Sequence, residues 1–159
     1  MSDVLIIGVG NPLRRDDALG PLALKELRGR LGESFDYIQC YGEGAELMDA
    51  WAGYDHVIII DAVQSGAKPG KIYVLNAARE KIPASFFSYS SHAFGLAEAV
   101  ELGRSLGLMP REIVIFGVEG SEFGYGDGLS RSVSRALPAL LDIIEDRACG
   151  MKHNGVQHA

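Results

Sequence analysis

The chain has 159 residues, the size of one domain, and its 47% apolar and 23% charged content is that of a globular protein rather than a disordered one. Lysine and arginine number 15 against 21 aspartates and glutamates, a net charge of −6, so a nucleic-acid partner, which needs a cationic face to displace counterions, is not expected. Cys40 and Cys149 stand far apart without CxxC or Cys/His spacing, which speaks against a disulfide framework and a structural zinc site. With no cationic leader and no apolar run of roughly 18–20 residues, a cytoplasmic protein without membrane association is expected.

Taken in order, Val4-Leu5-Ile6-Ile7 is an apolar run that ends in Gly8-Val9-Gly10-Asn11. Continuous β-branched runs without polar alternation suit strands buried on both faces, as in parallel sheets. Leu19, Leu22, Ala23, Leu27 and Leu31 then recur at helical spacing. Phe35 to Tyr41 is a more mixed and less buried strand, and a short helix is expected around Ala45 to Trp51. Val57-Ile58-Ile59-Ile60 ends in Asp61, and Lys71 to Leu75 follows the turn signal Lys68-Pro69-Gly70. Leu96, Ala99, Val100 and Gly103 mark another helix, and Ile113-Val114-Ile115-Phe116 a strand ending in Gly117-Val118-Glu119. The last helix is carried by Val133, Ala136, Leu137, Leu140, Leu141, Ile144 and Ala148, with Pro138 predicting a kink or a later start. Cys149 to Ala159 reads as a frayed polar tail after a single domain of residues 1–148.

Strands alternating with helices predict a three-layer α/β fold: an open, mostly parallel five-stranded sheet with helices on both faces. Residues 62–70 are too few for a parallel crossover, which needs about a dozen. The Lys71–Leu75 strand is therefore expected to run antiparallel.

Ligands of open α/β sheets bind beyond the carboxyl ends of the strands. That rule selects Gly8 to Asp17, Gly42 to Glu46, Asp61 to Val63 and Gly117 to Gly128, with Ser88-Tyr89-Ser90-Ser91-His92 at the same rim. Gly8-Val9-Gly10 is not a dinucleotide fingerprint: Leu13 stands where GxGxxG needs its third glycine, and Asp16-Asp17 would repel a pyrophosphate. No Walker loop occurs. What the rim offers is carboxylate and imidazole: Asp16 and Asp17, Asp61, and His92. Two carboxylates and one imidazole on converging elements can hold a divalent first-row metal. Each has a plainer reading: helix capping for Asp16 or Asp17, loop hydrogen bonding for Asp61, a first-turn residue for His92. His56, at the opposite edge, reads as structural, and His153 and His158 as solvent residues of the tail. Cys40 has no evident partner base for nucleophilic work. Glu43, Glu46, Glu119 and Glu122 could line a substrate groove, though solvated loop acids are the commoner outcome.

At these residues the chain resembles the hydrogenase maturation endopeptidases, which process the large subunit of [NiFe] hydrogenases. The resemblance is carried by Gly8-Val9-Gly10-Asn11-Pro12-Leu13-Arg14-Arg15-Asp16-Asp17-Ala18-Leu19-Gly20, by Val57-Ile58-Ile59-Ile60-Asp61-Ala62, and by Ser91-His92-Ala93-Phe94-Gly95-Leu96, with a weaker match at Gly117-Val118-Glu119-Gly120 and Gly128-Leu129-Ser130. It implies an endopeptidase that removes the C-terminal extension of a precursor after nickel insertion. It also implies Asp17, Asp61 and His92 as the metal-binding and catalytic set; the residues read by themselves keep Asp16 as a further candidate. The nickel is supplied by the precursor, another divalent metal can substitute, and a monomer is expected. Gln39-Cys40-Tyr41-Gly42-Glu43-Gly44 departs from the family's DGGT-like loop, which suggests a different subgroup. The alternative from another class is a non-catalytic nickel-binding checkpoint or chaperone for the same precursor.

Overall fold

A computed structural model of the chain describes residues 3–87 and 93–157. Five strands form one sheet: β1 (Val4–Val9), β2 (Asp36–Cys40), β3 (His56–Val63), β4 (Ile72–Asn76) and β5 (Glu112–Glu119). Their spatial order is β2-β1-β3-β5-β4. The three pairs β2–β1, β1–β3 and β3–β5 are parallel, and β4 pairs antiparallel with β5, placing Ile72 opposite Val118. The short link before β4 made this direction necessary, because a parallel return needs room to cross over the sheet.

Four α-helices occur among the described residues: α1 (Leu19–Leu31), α2 (Gly44–Trp51), α3 (Leu96–Leu106) and α4 (Arg131–Gln157). Side chains alternate along each strand, so every central strand feeds two cores. Ile58, Ile60 and Ala62 of β3 join Leu19, Leu27, Leu140 and Ile144 under α1 and α4. Val57, Ile59 and Val63 join Leu47, Trp51, Leu96 and Val100 under α2 and α3. β1, β3 and β5 are buried almost throughout, whereas β2 is half-exposed. The uninterrupted apolar runs are what this double burial requires.

Two features differ from the sequence reading. α4 starts at Arg131, upstream of Pro138, and carries that proline inside it. The helix also continues beyond Cys149, where a frayed tail is expected, and runs to Gln157. Met151 explains part of this: it is buried in the core under α1 and α4, and a buried apolar side chain one turn past the predicted end holds that turn in place.

Candidate functional site

The chain leaves β1 toward β2 through α1 on one face, and leaves β2 toward β3 through α2 on the other. The order β2-β1-β3 therefore makes the carboxyl ends of β1 and β3 a topological switch point, where the two connections diverge and open a crevice. Asp17 follows β1 and Asp61 lies near the end of β3.

Asp17 is placed by backbone packing. Gly10, at the end of β1, has φ 141°, and a Cβ there would lie 1.9 Å from the Asp17 carbonyl oxygen. The next amide, Asn11 N, donates to Asp17 Oδ2 at 2.8 Å, while the Asn11 side chain accepts from Leu13 N at 2.9 Å. Farther in, a Cβ on Gly8 would lie 2.4 Å from the Gly20 carbonyl oxygen, and one on Gly20 would lie 2.2 Å from the Val9 oxygen and 2.7 Å from that of Ile60. Two bare glycines thus let α1 lie directly on β1 and β3, bringing the turn ahead of the helix to the rim.

Asp61 is 3% exposed and stands opposite Gly117 of β5. By alternation with Ile59 and Val63 it faces the α2 and α3 layer. His92 lies outside the described residues, as do Ser88 to Ser91 and His158. The segment just after His92 is well fixed: the Gly44 amide at the start of α2 donates to the Phe94 carbonyl at 2.8 Å. The Phe94 ring fills the place of a Gly44 side chain, 2.3 Å from where Cβ would be. Among the described residues no group of three or more His, Cys, Asp or Glu could hold a metal ion. Asp17 and Asp61 are oxygen donors of the kind divalent cations accept.

Asp16 is a different kind of residue from Asp17. It is fully buried, and its Oδ2 accepts from Ser121 N at 2.8 Å, Glu122 N at 2.9 Å and Ser130 Oγ at 2.8 Å. Its Oδ1 accepts from Ser130 N at 2.7 Å. Burial, the largest single influence, pushes its pKa up, but the donors from Ser121, Ser130 and Glu122 together outweigh it and hold the carboxyl below its ordinary 3.8. Arg15 strengthens the same tie. Its φ is 40°, unusual for a side-chain-bearing residue. Its amide donates to Gly126 O at 3.2 Å and its guanidinium pairs with Glu122 at 2.7 Å. Asp16 and Arg15 therefore fasten the β5–α4 loop to the turn that carries Asp17.

The remaining candidates are occupied elsewhere. Cys40 is buried, and burial, helped by the Glu46 carboxylate, pushes its thiol up to about 12, so it is protonated and a poor nucleophile. His56 pairs with Glu112 at 3.3 Å at the amino edge of the sheet. Glu43 caps α2 by accepting from Ala45 N and Glu46 N, and Glu46 accepts from Tyr41 N. Glu119 is not a solvated loop acid: it is 1% exposed and accepts from Ser65 N at 2.8 Å, the Ser65 hydroxyl and Tyr73 OH at 3.1 Å. The sequence signal for that burial was its position continuing the β5 run in the strand's alternation. Ser130, the main partner of Asp16, escaped the sequence reading as an anchor because nothing local marks a contact between residues so distant in the chain.

A family model described as hydrogenase maturation protease (HycI) matches residues 31–147. The chain belongs to the hydrogenase maturation protease family. The Hydrogenase 2 maturation protease of Escherichia coli strain K12 is 30% identical, the alignment covering 97% of this chain and 93% of that protein. A putative hydrogenase maturation protease of Methanocaldococcus jannaschii is 28% identical over 89% of this chain and 94% of its own. Among solved structures, the hydrogenase maturating endopeptidase HybD from E. coli superposes with a TM-score of 0.76 at 29% identity, over 91% of this chain and 90% of that one. A family of maturation proteases is a family of peptide-bond hydrolases, so this member is placed among the peptidases. The segment matched by the family model includes Asp61 and His92, and the Asp16-Asp17 turn lies ahead of it. No helix among the described residues is long and apolar enough to cross a membrane.

Proposed function

We propose that this maturation protease removes the C-terminal extension of a [NiFe] hydrogenase large-subunit precursor after nickel insertion, with Asp17, Asp61 and His92 recognising nickel that the precursor carries. The observation that carries this reading is the family membership together with two buried carboxylates at the carboxyl ends of β1 and β3, on either side of the switch point.

The chemistry of such a donor set suits a metal presented by the substrate. Two carboxylates and an imidazole are weak competitors for free nickel beside thiolates, yet they can complete the coordination of an ion already held by the precursor. Cleavage then waits for loading. A metal held by Asp17, Asp61 and His92 would supply Lewis-acid chemistry, polarising a carbonyl or activating water. The chain's own contribution is placement: Asn11 N fixes one oxygen of Asp17, the β3–β5 pairing fixes Asp61, and the water attacking the scissile bond can pass its proton to a rim carboxylate acting as general base. Nucleophilic attack by Cys40 has no place in this scheme, because its thiol stays protonated.

Incubating nickel-loaded precursor with Asp17→Asn, Asp61→Asn and His92→Gln variants, and weighing the precursor by mass spectrometry, tests the proposal. Each variant should leave the precursor at full length while keeping the native melting temperature. Normal shortening by all three would remove the site assignment. Failure of the native chain to shorten the precursor, while still binding it, would favour the checkpoint role.

A further inference from the structure

Against the net charge of −6, one part of the rim is cationic. Lys68, Pro69, Gly70, Lys71, Ser132 and Arg135 line a cleft of about 450 Å³ between the β3–β4 turn and the first turns of α4. The turn is rigid by construction: Lys71 N donates to Lys68 O at 3.2 Å, Pro69 occupies its second position, and Gly70 takes φ 94° at its third. That is the arrangement of a type II turn. It is clamped to β5, with Gly70 N donating to Glu119 O and Glu119 N to Lys71 O, each at 2.8 Å. The opposite wall is equally close, because a Cβ on Gly70 would lie 3.0 Å from the Ser132 carbonyl oxygen.

None of Lys68, Lys71 and Arg135 forms an ion pair with a described residue. Lys71 instead lies over the Tyr73 ring at 4.9 Å. Three exposed cations gathered around one cleft make the local field positive, and the first turn of α4 adds no acid to offset them. The cleft lies at the same end of the sheet as the candidate site and is tied to it through intervening residues. Ser130, two residues before Ser132, is bonded to Asp16, and Glu119, bonded to the turn, continues the strand that pairs with Asp61.

We propose that this cleft is a docking exosite for an acidic segment of the protein substrate, engaging its carboxylates with Lys68, Lys71 and Arg135 while the scissile region lies at Asp17 and Asp61. The proposal rests on the peptidase reading above for the identity of the partner. Its occupant is assigned by charge complementarity, which steers encounter and fixes register more than it adds affinity.

A fluorescein-labelled oligoglutamate peptide, titrated with the full chain and followed by anisotropy, tests it. The native chain should bind saturably, more weakly as salt is raised. Lys68→Glu/Lys71→Glu/Arg135→Glu should weaken binding by about tenfold or more. Lys68→Arg/Lys71→Arg/Arg135→Lys, which keeps the charge, should retain it. Asp17→Asn should bind the peptide like the native chain, so that a failure of the cleavage reading leaves this measurement standing. Against precursor, the charge-reversed variant should raise KM with kcat unchanged. Absence of saturable binding, equal binding by the charge-reversed chain, or tighter binding of oligothymidylate than of oligoglutamate would each overturn the proposal.

Discussion

Asp16 and Ser130 lie 114 positions apart and are joined twice, Ser130 N to Oδ1 at 2.7 Å and Ser130 Oγ to Oδ2 at 2.8 Å. This pair closes the loop before α4 onto the turn before α1, and it makes Asp16 a structural anchor next to a candidate site residue. Asp16→Ala should lower the stability measured by urea denaturation by about 3 kcal/mol, because it strands several buried donors at once. Asp17→Asn should shift it by less than about 1 kcal/mol, since the amide oxygen can still accept from Asn11 N.

The same anchor predicts a pH dependence. The folded pKa of Asp16 is below the 3.8 of an ordinary aspartate, so the unfolded chain binds the proton more readily than the folded one. Its stabilisation is complete above that ordinary value and is lost as pH falls through 3.8 toward the lower folded pKa. Melting temperatures of the native chain and Asp16→Asn, compared from neutral to acid pH, should therefore converge as the pH drops. A gap that widens in acid would contradict the assignment.

A Cβ on Gly20 would meet backbone first, with the Val9 oxygen 2.2 Å, the Val9 nitrogen 2.5 Å and the Ile60 oxygen 2.7 Å away. Backbone atoms in a sheet cannot swing aside as a side-chain tip can. Gly20→Ala should cost about 3 kcal/mol or more and reduce soluble yield. Gly29→Ala, in the same helix but with open space around it, should be neutral or stabilising by about 0.5 kcal/mol. Thermal denaturation of the two variants checks the contrast.

Gly44 meets a ring instead. Gly44→Ala would press on Phe94 Cδ1 and Cε1, 2.3 and 2.4 Å away, and should destabilise by about 1–3 kcal/mol. Combining it with Phe94→Leu should cost less than the sum of the single changes, because the smaller side chain vacates the contested space. A double-mutant cycle by chemical denaturation measures that coupling.

The cysteines should react very differently. Cys40 is buried with its thiol pushed up to about 12, and Cys149 is exposed. Under native conditions a disulfide reagent should modify Cys149 alone, with Cys40 appearing only after denaturation. Cys40→Ser should leave precursor processing intact; loss of processing with the fold preserved would reopen a thiol mechanism.

How much of this was legible beforehand varies by residue. The three runs Val4–Ile7, Val57–Ile60 and Ile113–Phe116 announced buried parallel strands because double burial leaves no room for polar alternation. The direction of β4 followed from the length of the link before it. Asp61 was legible as a rim residue because it ends an apolar run. The choice between Asp16 and Asp17 was not legible, since both are acidic and adjacent, and only the loop carrying Ser121, Glu122 and Ser130 treats them differently. The burial of Glu119 likewise depended on Ser65 and Tyr73 arriving from other elements.

The amino-acid order alone thus determined the layers, the strand directions and the rim on which acidic side chains gather, because periodicity, run length and link length are local quantities. Tertiary structure decided which acid anchors, how far α4 extends past Cys149 to bury Met151, and where lysines and an arginine from separate elements face one cleft. Those outcomes depend on partners distant in the chain, and donors, apolar neighbours and like charges exert their free energies only once folding has brought them within reach.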